Sequence, residues 1–545
     1  MFKNLPKKIS LDTFSKFDFG DVEAMRDNLL NTKECVCLTE PLRTFIEDEA
    51  NVATGDKGSG KTAAFKLLRD GLLKFSDKPN GNPLLIPISD EYDYKTVKSK
   101  IIKQFDAEID EVEFKLQAAW EIYILYRLFI FAKKRGYKSD EVLRHEKKFL
   151  KLFPDDENNS FMEVFGKLRF QVGCKVYQQP GTDMLFPDFY IKPEGGSPQS
   201  EAMPNINISE CKTALQSAFA AKGKIAYVVF DKLDEFVIGE EYETQKKVLQ
   251  GLIACISTYS EYKNISLKIF LRNDLFKRID LSKSGVIKTQ QRTVDLVWRD
   301  VDIFQFVGQR VAYNIIKNCK ISRIEINIGN RSWLGKVKNW VCSRIGLWHL
   351  LENESTRSDE VYKALITCLF PKVITHRNSQ GKPKDVDIFK FISSHFKTSS
   401  GSINPRLVVM FLNRCLKLSV EIHRKDLSKD LSINNDGEYE LIKRKAIERA
   451  YYEVQNAIWE EAAETDHKWL SNVRKLNEKK QQSKMTYGHM KSILGFEDEN
   501  ELRSFLSYMT HLGVLTCLNQ SDIEHDKRSY ELPIVYKMAF YGANN

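Results

Sequence analysis

Paired cysteines and clustered metal ligands are nearly missing from this sequence. Its ten cysteines are scattered from Cys35 to Cys517, only Cys35 and Cys37 stand close together, and no Cys-x-x-Cys occurs. That spacing excludes a zinc knuckle and a disulfide framework, and reduced thiols of a cytoplasmic chain fit it best. The nine histidines form no His-x-x-x-His pair, so no metal is expected beyond one brought by a nucleotide. Long apolar runs are absent too. The most apolar stretch, Ala118–Ala132, is too short to span a bilayer and carries Glu121 and Arg127. It reads as a buried helix; a helix lying on a lipid surface beside Lys133, Lys134 and Arg135 is the lesser alternative. The opening MFKNLPKKIS has no apolar core of a signal peptide, and no membrane partner is expected. Charge of one sign is scarce as well: 83 basic residues face 74 acidic ones, a net +9. That excess is compatible with nucleic acid as a partner and does not require one.

What is present is material for several packed domains: 545 residues, 42% of them hydrophobic. Residues 1–50 read as a helical lead-in anchored by Phe14, Phe17 and Phe19. Residues 51–290 read as an α/β core with a parallel sheet and helices on both faces. Its strands are Asn51–Thr54, Asn82–Ser89, Ile225–Phe230 and Ile265–Leu271, and Lys61–Phe75 is its first helix. An insertion at about 93–222 begins helically and continues in a Pro- and Gly-rich stretch, Gln178–Pro204, expected as an exposed loop. Residues 291–425 read as a helical lid interrupted by a polar loop, Arg377–Asp385. Residues 426–545 read as a helical linker and a winged-helix-like domain, with helices Trp469–Leu476, Tyr487–Leu494 and Glu499–Leu512 and strands Val514–Leu518 and Ser529–Tyr536.

The one highly specific motif is Gly55-Asp56-Lys57-Gly58-Ser59-Gly60-Lys61-Thr62, a complete G-x-x-x-x-G-K-[ST] between a strand and a helix. Glycines let backbone N–H groups wrap phosphates, Lys61 reaches the β- and γ-phosphates, and the Thr62 hydroxyl takes a Mg²⁺ position. ATP with Mg²⁺ is therefore the expected ligand. A second metal-site group is needed at the end of a neighbouring strand, and Ile225–Phe230 delivers Asp231 there. The acid that activates water commonly follows directly, yet Lys232 holds that place; Glu235 or Asp234 is left to serve, or else to start a solvated helix. Slow hydrolysis is expected. Ile265–Leu271 ends at Arg272-Asn273-Asp274, which puts Arg272 or Asn273 where a γ-phosphate probe would stand and Asp274 where a helix cap would. Asn404-Pro405-Arg406 opens an apolar helix; Arg406 is either a cation aimed at the nucleotide or part of a plain helix start.

Taken together, Phe19-Gly20 with Ala24, the GDKGSGKTA loop through Ala63, VVFDKLDE, FLRND, Trp298 leading to Arg310, and INPRLVVMFLN resemble the AAA+/STAND-like P-loop ATPases of bacteria, including the KAP group and related stand-alone ATPases. The resemblance covers roughly residues 17–420. It implies that Arg406 is the lid arginine, with Arg292 and Arg310 as weaker candidates, and that Lys232 departs from the usual second acid. It further implies work in antiviral defence, signalling or DNA transactions beside a separate effector protein. A homo-oligomer is expected on other grounds, since a neighbouring subunit could supply the acid that Lys232 displaces.

The leading expectation is an ATP-dependent conformational switch. The alternative is a DNA-binding ATPase similar to origin-recognition or loader proteins, and a phosphotransferase reading is disfavoured by chain length. No G-x-S-x-G elbow is present, and Pro187, Asp188 and Lys192 lack the acidic partner a nuclease needs.

Overall fold

Strands that are apolar at successive positions need cover on both faces. In the computed structural model such segments pair in one five-stranded sheet, whose members are β1 (Val52–Gly55), β2 (Leu84–Ile88), β3 (Ala226–Phe230), β4 (Ile265–Arg272) and β5 (Thr293–Asp295), in the order β5-β1-β4-β3-β2. Every pairing is parallel. The register sets Gly55 beside Arg272, Thr54 beside Asp295 and Phe230 beside Ile269, so β1, β3, β4 and β5 end along one edge. The structure describes residues 2–3, 5–75, 84–88, 112–150, 170–178, 185–193, 206–233, 242–277, 279, 292–321, 323–328, 338–343, 358–377, 383–428, 430–433, 441–464, 467–478, 484–519 and 527–537.

The chain divides into two units. A sheet unit comprises Glu40–Gly55 and Lys61–Leu296; a helical unit comprises Met1–Thr39, Asp56–Gly60 and Val297–Asn545. In the sheet unit the helices α1 (Lys61–Arg69), α2 (Val112–Arg135), α3 (Asp140–Leu150), α4 (Ile208–Ala221) and α5 (Tyr242–Tyr259) accompany the sheet. The apolar stretch of α2 lies inside this unit's core, packed with residues of α4, α5 and the sheet. Its Glu121 is 2% exposed, and the charge is met by Lys212 Nζ at 2.8 Å and the Thr258 hydroxyl at 2.7 Å. Among the described residues no helix is long and apolar enough to cross a membrane.

The exposed loop expected over Gln178–Pro204 is corrected in its described part: Leu185–Pro193 is a strand, antiparallel to Phe170–Gln178 and to Ile206–Asn207, while 179–184 and 194–204 lie outside the described residues. Pro187 and Pro193 masked an alternating pattern that buries Phe189 and Ile191 on one face. Pro187, Asp188 and Lys192 therefore stand on that strand.

In the helical unit, Phe14, Phe17 and Phe19 are buried as expected. The lead-in is mixed rather than helical, however, because Lys8–Ser10 pairs antiparallel with Asp430–Ser432 before a short helix, Leu11–Ser15, capped by Ser10. The body of the unit is α6 (Asp300–Asn318), α7 (Ser358–Thr367), α8 (Ile388–His395), α9 (Pro405–Lys425) and α10 (Arg444–Glu464) around a common core. It is not purely helical: Val373–Arg377 pairs with Pro383–Asp387, taking up both ends of the expected polar loop, and Arg323–Ile328 pairs with Lys338–Ser343.

A separate core gathers α11 (Leu470–Glu478), α12 (Tyr487–Leu494) and α13 (Glu499–His511) with a three-stranded sheet in which Ser529–Glu531 lies between Lys484–Thr486 and Thr516–Cys517. The expected strand Ser529–Tyr536 stops early. Pro533 lacks the N–H a ladder needs, and Ile534–Tyr536 forms a 3-10 turn. The three-residue strand Lys484–Thr486 carried no pattern long enough to read.

Candidate functional site

The glycine-rich segment leaves the end of β1 and enters α1 as the motif requires. Gly58 and Gly60 adopt φ of +87° and +98°, a left-handed backbone that only glycine takes without cost. Lys61, at the first turn of α1, donates to the Gly55 carbonyl at 2.7 Å. Thr62 and Ala63 follow it at the half-buried helix start.

The crown of the loop, Asp56–Gly60, is counted with the helical unit, and the contacts there are polar and specific. The Asp56 carboxylate accepts from the hydroxyls of Thr398 and Ser400, each at 2.6 Å. Asn404 Nδ2 donates to the Lys57 carbonyl at 2.9 Å, and Trp298 Nε1 donates to the Ser59 carbonyl at 2.8 Å. In a trans peptide the C=O and the following N–H point in opposite directions. Carbonyls 57 and 59 are held by Asn404 and Trp298, so the N–H groups of Gly58 and Gly60 are aimed away from those partners. Backbone N–H groups of glycines and a lysine at a helix start are the group types that anion-binding loops use.

At the ends of the other strands, Asp231 directly follows β3 and is 5% exposed. Lys232 takes φ +60°, a conformation costing about 1–2 kcal/mol for a residue with a Cβ, and turns the chain after the aspartate. Asp234 and Glu235 lie outside the described residues. Arg272, at the end of β4, grips Asp274 through Nε–Oδ1 at 2.9 Å and Nη2–Oδ2 at 3.0 Å. The expected Asp274 cap is thereby corrected: the short helix starts at Asn273, with Arg272 at the N-cap position, and Asp274 is its second residue. Asn273 donates to Asp295 at 3.2 Å. A hydroxyl at Thr62 and a buried carboxylate at Asp231 are hard oxygen donors of the kind Mg²⁺ takes.

Asn404-Pro405-Arg406 does start a helix, α9, with the Asn404 side chain accepting from the N–H of Arg406 and Leu407. Arg406 is not aimed freely: its Nη1 meets Glu461 Oε1 at 2.9 Å, and the same oxygen takes Lys57 Nζ at 2.7 Å. Burial alone would raise the Glu461 carboxyl, but Lys57 and Arg406 together hold it below the ordinary carboxylate range. Arg310 is 1% exposed, ion-paired with Asp27 at 2.8 Å and donating to the Phe19 carbonyl. Its charge serves the helical unit's interior, which removes it as a lid or trans-acting cation. Arg292 donates to Asn51 at 3.2 Å. Glu461, Thr398 and Ser400 carry no local pattern that marks a residue acting on a loop hundreds of positions away, and Asn404 reads from the sequence only as part of a helix start and a family likeness.

No family model matches the chain, and no curated protein matches it. Among solved structures, Cdc6p from Pyrobaculum aerophilum aligns at 11% identity and a TM-score of 0.28, over 97% of this chain and 95% of that one. The Aeropyrum pernix ORC2 protein aligns at 9% identity and a TM-score of 0.33 as its ADPNP–ADP complexes, and at 8% and 0.27 in its ADP form, each over 97% of this chain and 95% of that one. Values this low leave the function to be argued from the chain's own residues.

Proposed function

We propose that this chain is an ATP-binding and ATP-hydrolysing P-loop protein of AAA+/STAND-like type, working as a nucleotide-dependent conformational switch for a partner. The observation that carries the reading is the loop itself: a full phosphate-loop sequence between a parallel strand and a helix, with two glycines left-handed and carbonyls 57 and 59 bonded to Asn404 and Trp298. In this reading residues Gly55–Ala63 wrap the triphosphate, Lys61 leaves the Gly55 carbonyl for the β- and γ-phosphates, and Thr62 and Asp231 would hold Mg²⁺. Bound there, Mg²⁺ would neutralise charge on the phosphate oxygens. Lys232 occupies the usual place of the water-activating acid, so Glu235 or Asp234 takes that part and turnover is slow. Arg272 and Arg406 are the cations that would sense the terminal phosphate, each after giving up its carboxylate partner. The experiment is equilibrium titration of the full chain with ATP, with and without Mg²⁺, for wild type and Asp231→Asn. Mg²⁺ should tighten binding in wild type only; equal metal dependence in the variant would remove Asp231 from the site.

The partner is proposed to be protein, a separate effector, with antiviral defence as one setting and a homo-oligomer as the working form. The helix-strand-helix-helix-strand-strand order of residues 467–531 supports a winged-helix-like domain, which keeps the DNA-binding alternative in view. Against it, α13, the helix that would enter a groove, opens with exposed Glu497, Asp498, Glu499 and Glu501. Its Arg503 lies 3.7 Å from Glu499. Four acids at the leading end are repelled by phosphate. Full-length protein should bind duplex DNA weakly, without sequence preference, and lose it steeply with salt; selective binding at physiological salt would promote the DNA reading.

A further inference from the structure

Helix α10 has two faces with different tasks. Glu461 meets the phosphate-loop crown through Lys57 and α9 through Arg406. In the same turn, Trp459, Ala462 and Ala463 are buried in the core of the C-terminal subdomain, and Trp459 Nε1 donates to the Tyr536 carbonyl at 3.2 Å. One helical turn therefore touches both the crown and the C-terminal subdomain. The tie is electrostatically singular: one carboxylate oxygen receives two cations, 2.7 Å and 2.9 Å away. Its side chain is about one third exposed, at 31%, so water and anions reach it. Charged phosphate oxygens are acceptors of the same kind as this carboxylate, and arginine pairs with either in fork geometry.

We propose that Glu461 is a coupling residue: it stands in for a phosphate by holding Lys57 and Arg406, and a nucleotide triphosphate competes for those cations, freeing α10 and loosening the C-terminal subdomain. This rests on the nucleotide reading above. Asp56, Thr398, Ser400, Asn404 and Trp298 keep the crown on its scaffold throughout, so the competition falls on the side-chain charges and not on the loop backbone. The output is a change at residues 467–537, delivered through a helix already built into that subdomain's core.

The test uses the full chain with Mg²⁺ and a fluorescent ATP analogue for affinity, and hydrogen exchange of residues 530–537 for the output. Glu461→Gln removes the charge while keeping the shape, at a site exposed enough to leave the fold intact. Glu461→Asp keeps the charge on a shorter arm as a second variant. The expected result is that Glu461→Gln binds ATP about three- to fivefold more tightly, the size of a solvent-screened ion pair, and gains more for ATP than for ADP. Exchange at 530–537 should accelerate on adding ATP in wild type, stand already fast in Glu461→Gln, and respond in Glu461→Asp. Wild-type binding with an unchanged affinity in Glu461→Gln, or exchange at 530–537 indifferent to ATP in wild type, would overturn the coupling alone. A wild type that binds no ATP would overturn the nucleotide reading itself, and the coupling with it.

Discussion

Gly58 is the position where the loop's geometry can be tested most sharply by a single methyl group. A Cβ built there lies 2.5 Å from Asn404 Oδ1 and 2.9 Å from its Nδ2, well inside any tolerable contact, and the backbone already stands at φ +87°. Gly58→Ala therefore has two costs. The left-handed conformation with a side chain costs about 1–2 kcal/mol. Displacing Asn404 forfeits the cap of α9, about 1 kcal/mol, and the bond to the Lys57 carbonyl, about 1 kcal/mol. The total is about 3–4 kcal/mol, concentrated at one helix start. The matched control is Gly401→Ala, since Gly401 stands at φ +82° with nothing within 4 Å of its added Cβ, so only the backbone cost applies. The assay is native-state hydrogen exchange of the Arg406 and Leu407 amides, which the Asn404 side chain accepts at 3.1 Å and 3.4 Å. Gly58→Ala should speed those amides roughly fivefold or more, the equivalent of the lost cap, while Gly401→Ala leaves them at the wild-type rate. Unchanged exchange in Gly58→Ala, or equal acceleration in both variants, would refute the close approach of Asn404 to the crown.

The buried Glu121–Lys212 pair makes a second prediction: Glu121→Ala leaves an unpaired buried ammonium and should cost about 3–5 kcal/mol in urea unfolding, whereas Glu121→Leu with Lys212→Met should come close to neutral. A loss below 1 kcal/mol in the single variant would argue against burial of that pair. His423 is lowered from its ordinary 6.5 by burial first, and its Nε2 donates to the Leu441 carbonyl at 2.9 Å. The unfolded chain thus takes up this proton more readily than the folded one. The contribution is present above pH 6.5 and is lost as pH falls below it; wild type should lose stability over that interval more than His423→Gln, and parallel curves would contradict the assignment. The thiols of Cys35 and Cys211 are each pushed up to about 12 by burial, so a thiol-modifying reagent should leave both unlabelled in the native chain at pH 8; rapid labelling of either would contradict their burial.

The parallel core was legible because its signals are local. Runs such as Tyr227-Val228-Val229-Phe230, short and made of β-branched and aromatic residues, read as strands covered twice, and the phosphate-loop motif fixes which strand precedes which helix. Boundaries fell within a few residues for β1–β4, as they did for the three C-terminal helices, whose periodicity and caps, Thr486 and Asp498, are local too. The rest was hidden for physical reasons. Pro187 and Pro193 read as loop makers although the apolar residues between them alternate, and a strand of three residues such as Lys484–Thr486 is too short to show a period. The site suffered most from this locality. Asp231 and Arg272 stand at strand ends, where sequence pattern places them, but the partners that hold the crown come from a turn near Ser400 and from the last turn of α10. Trp298 and Asn404 carried a family likeness without revealing that they grasp carbonyls 59 and 57. Electrostatic pairing is a matter of distance in space, and neither the Glu461 tie nor the Asp27 partner that occupies Arg310 leaves a mark on sequence spacing.

If Gly55–Thr62 binds the phosphates of ATP through Lys61, calorimetric titration with ATP and Mg²⁺ should separate wild type from Lys61→Ala. Wild type should bind measurably and Lys61→Ala at least tenfold more weakly, about 1.4 kcal/mol or more of lost charge-assisted contact, with unaltered thermal unfolding of the unliganded proteins. Equal affinity in the two proteins would contradict it.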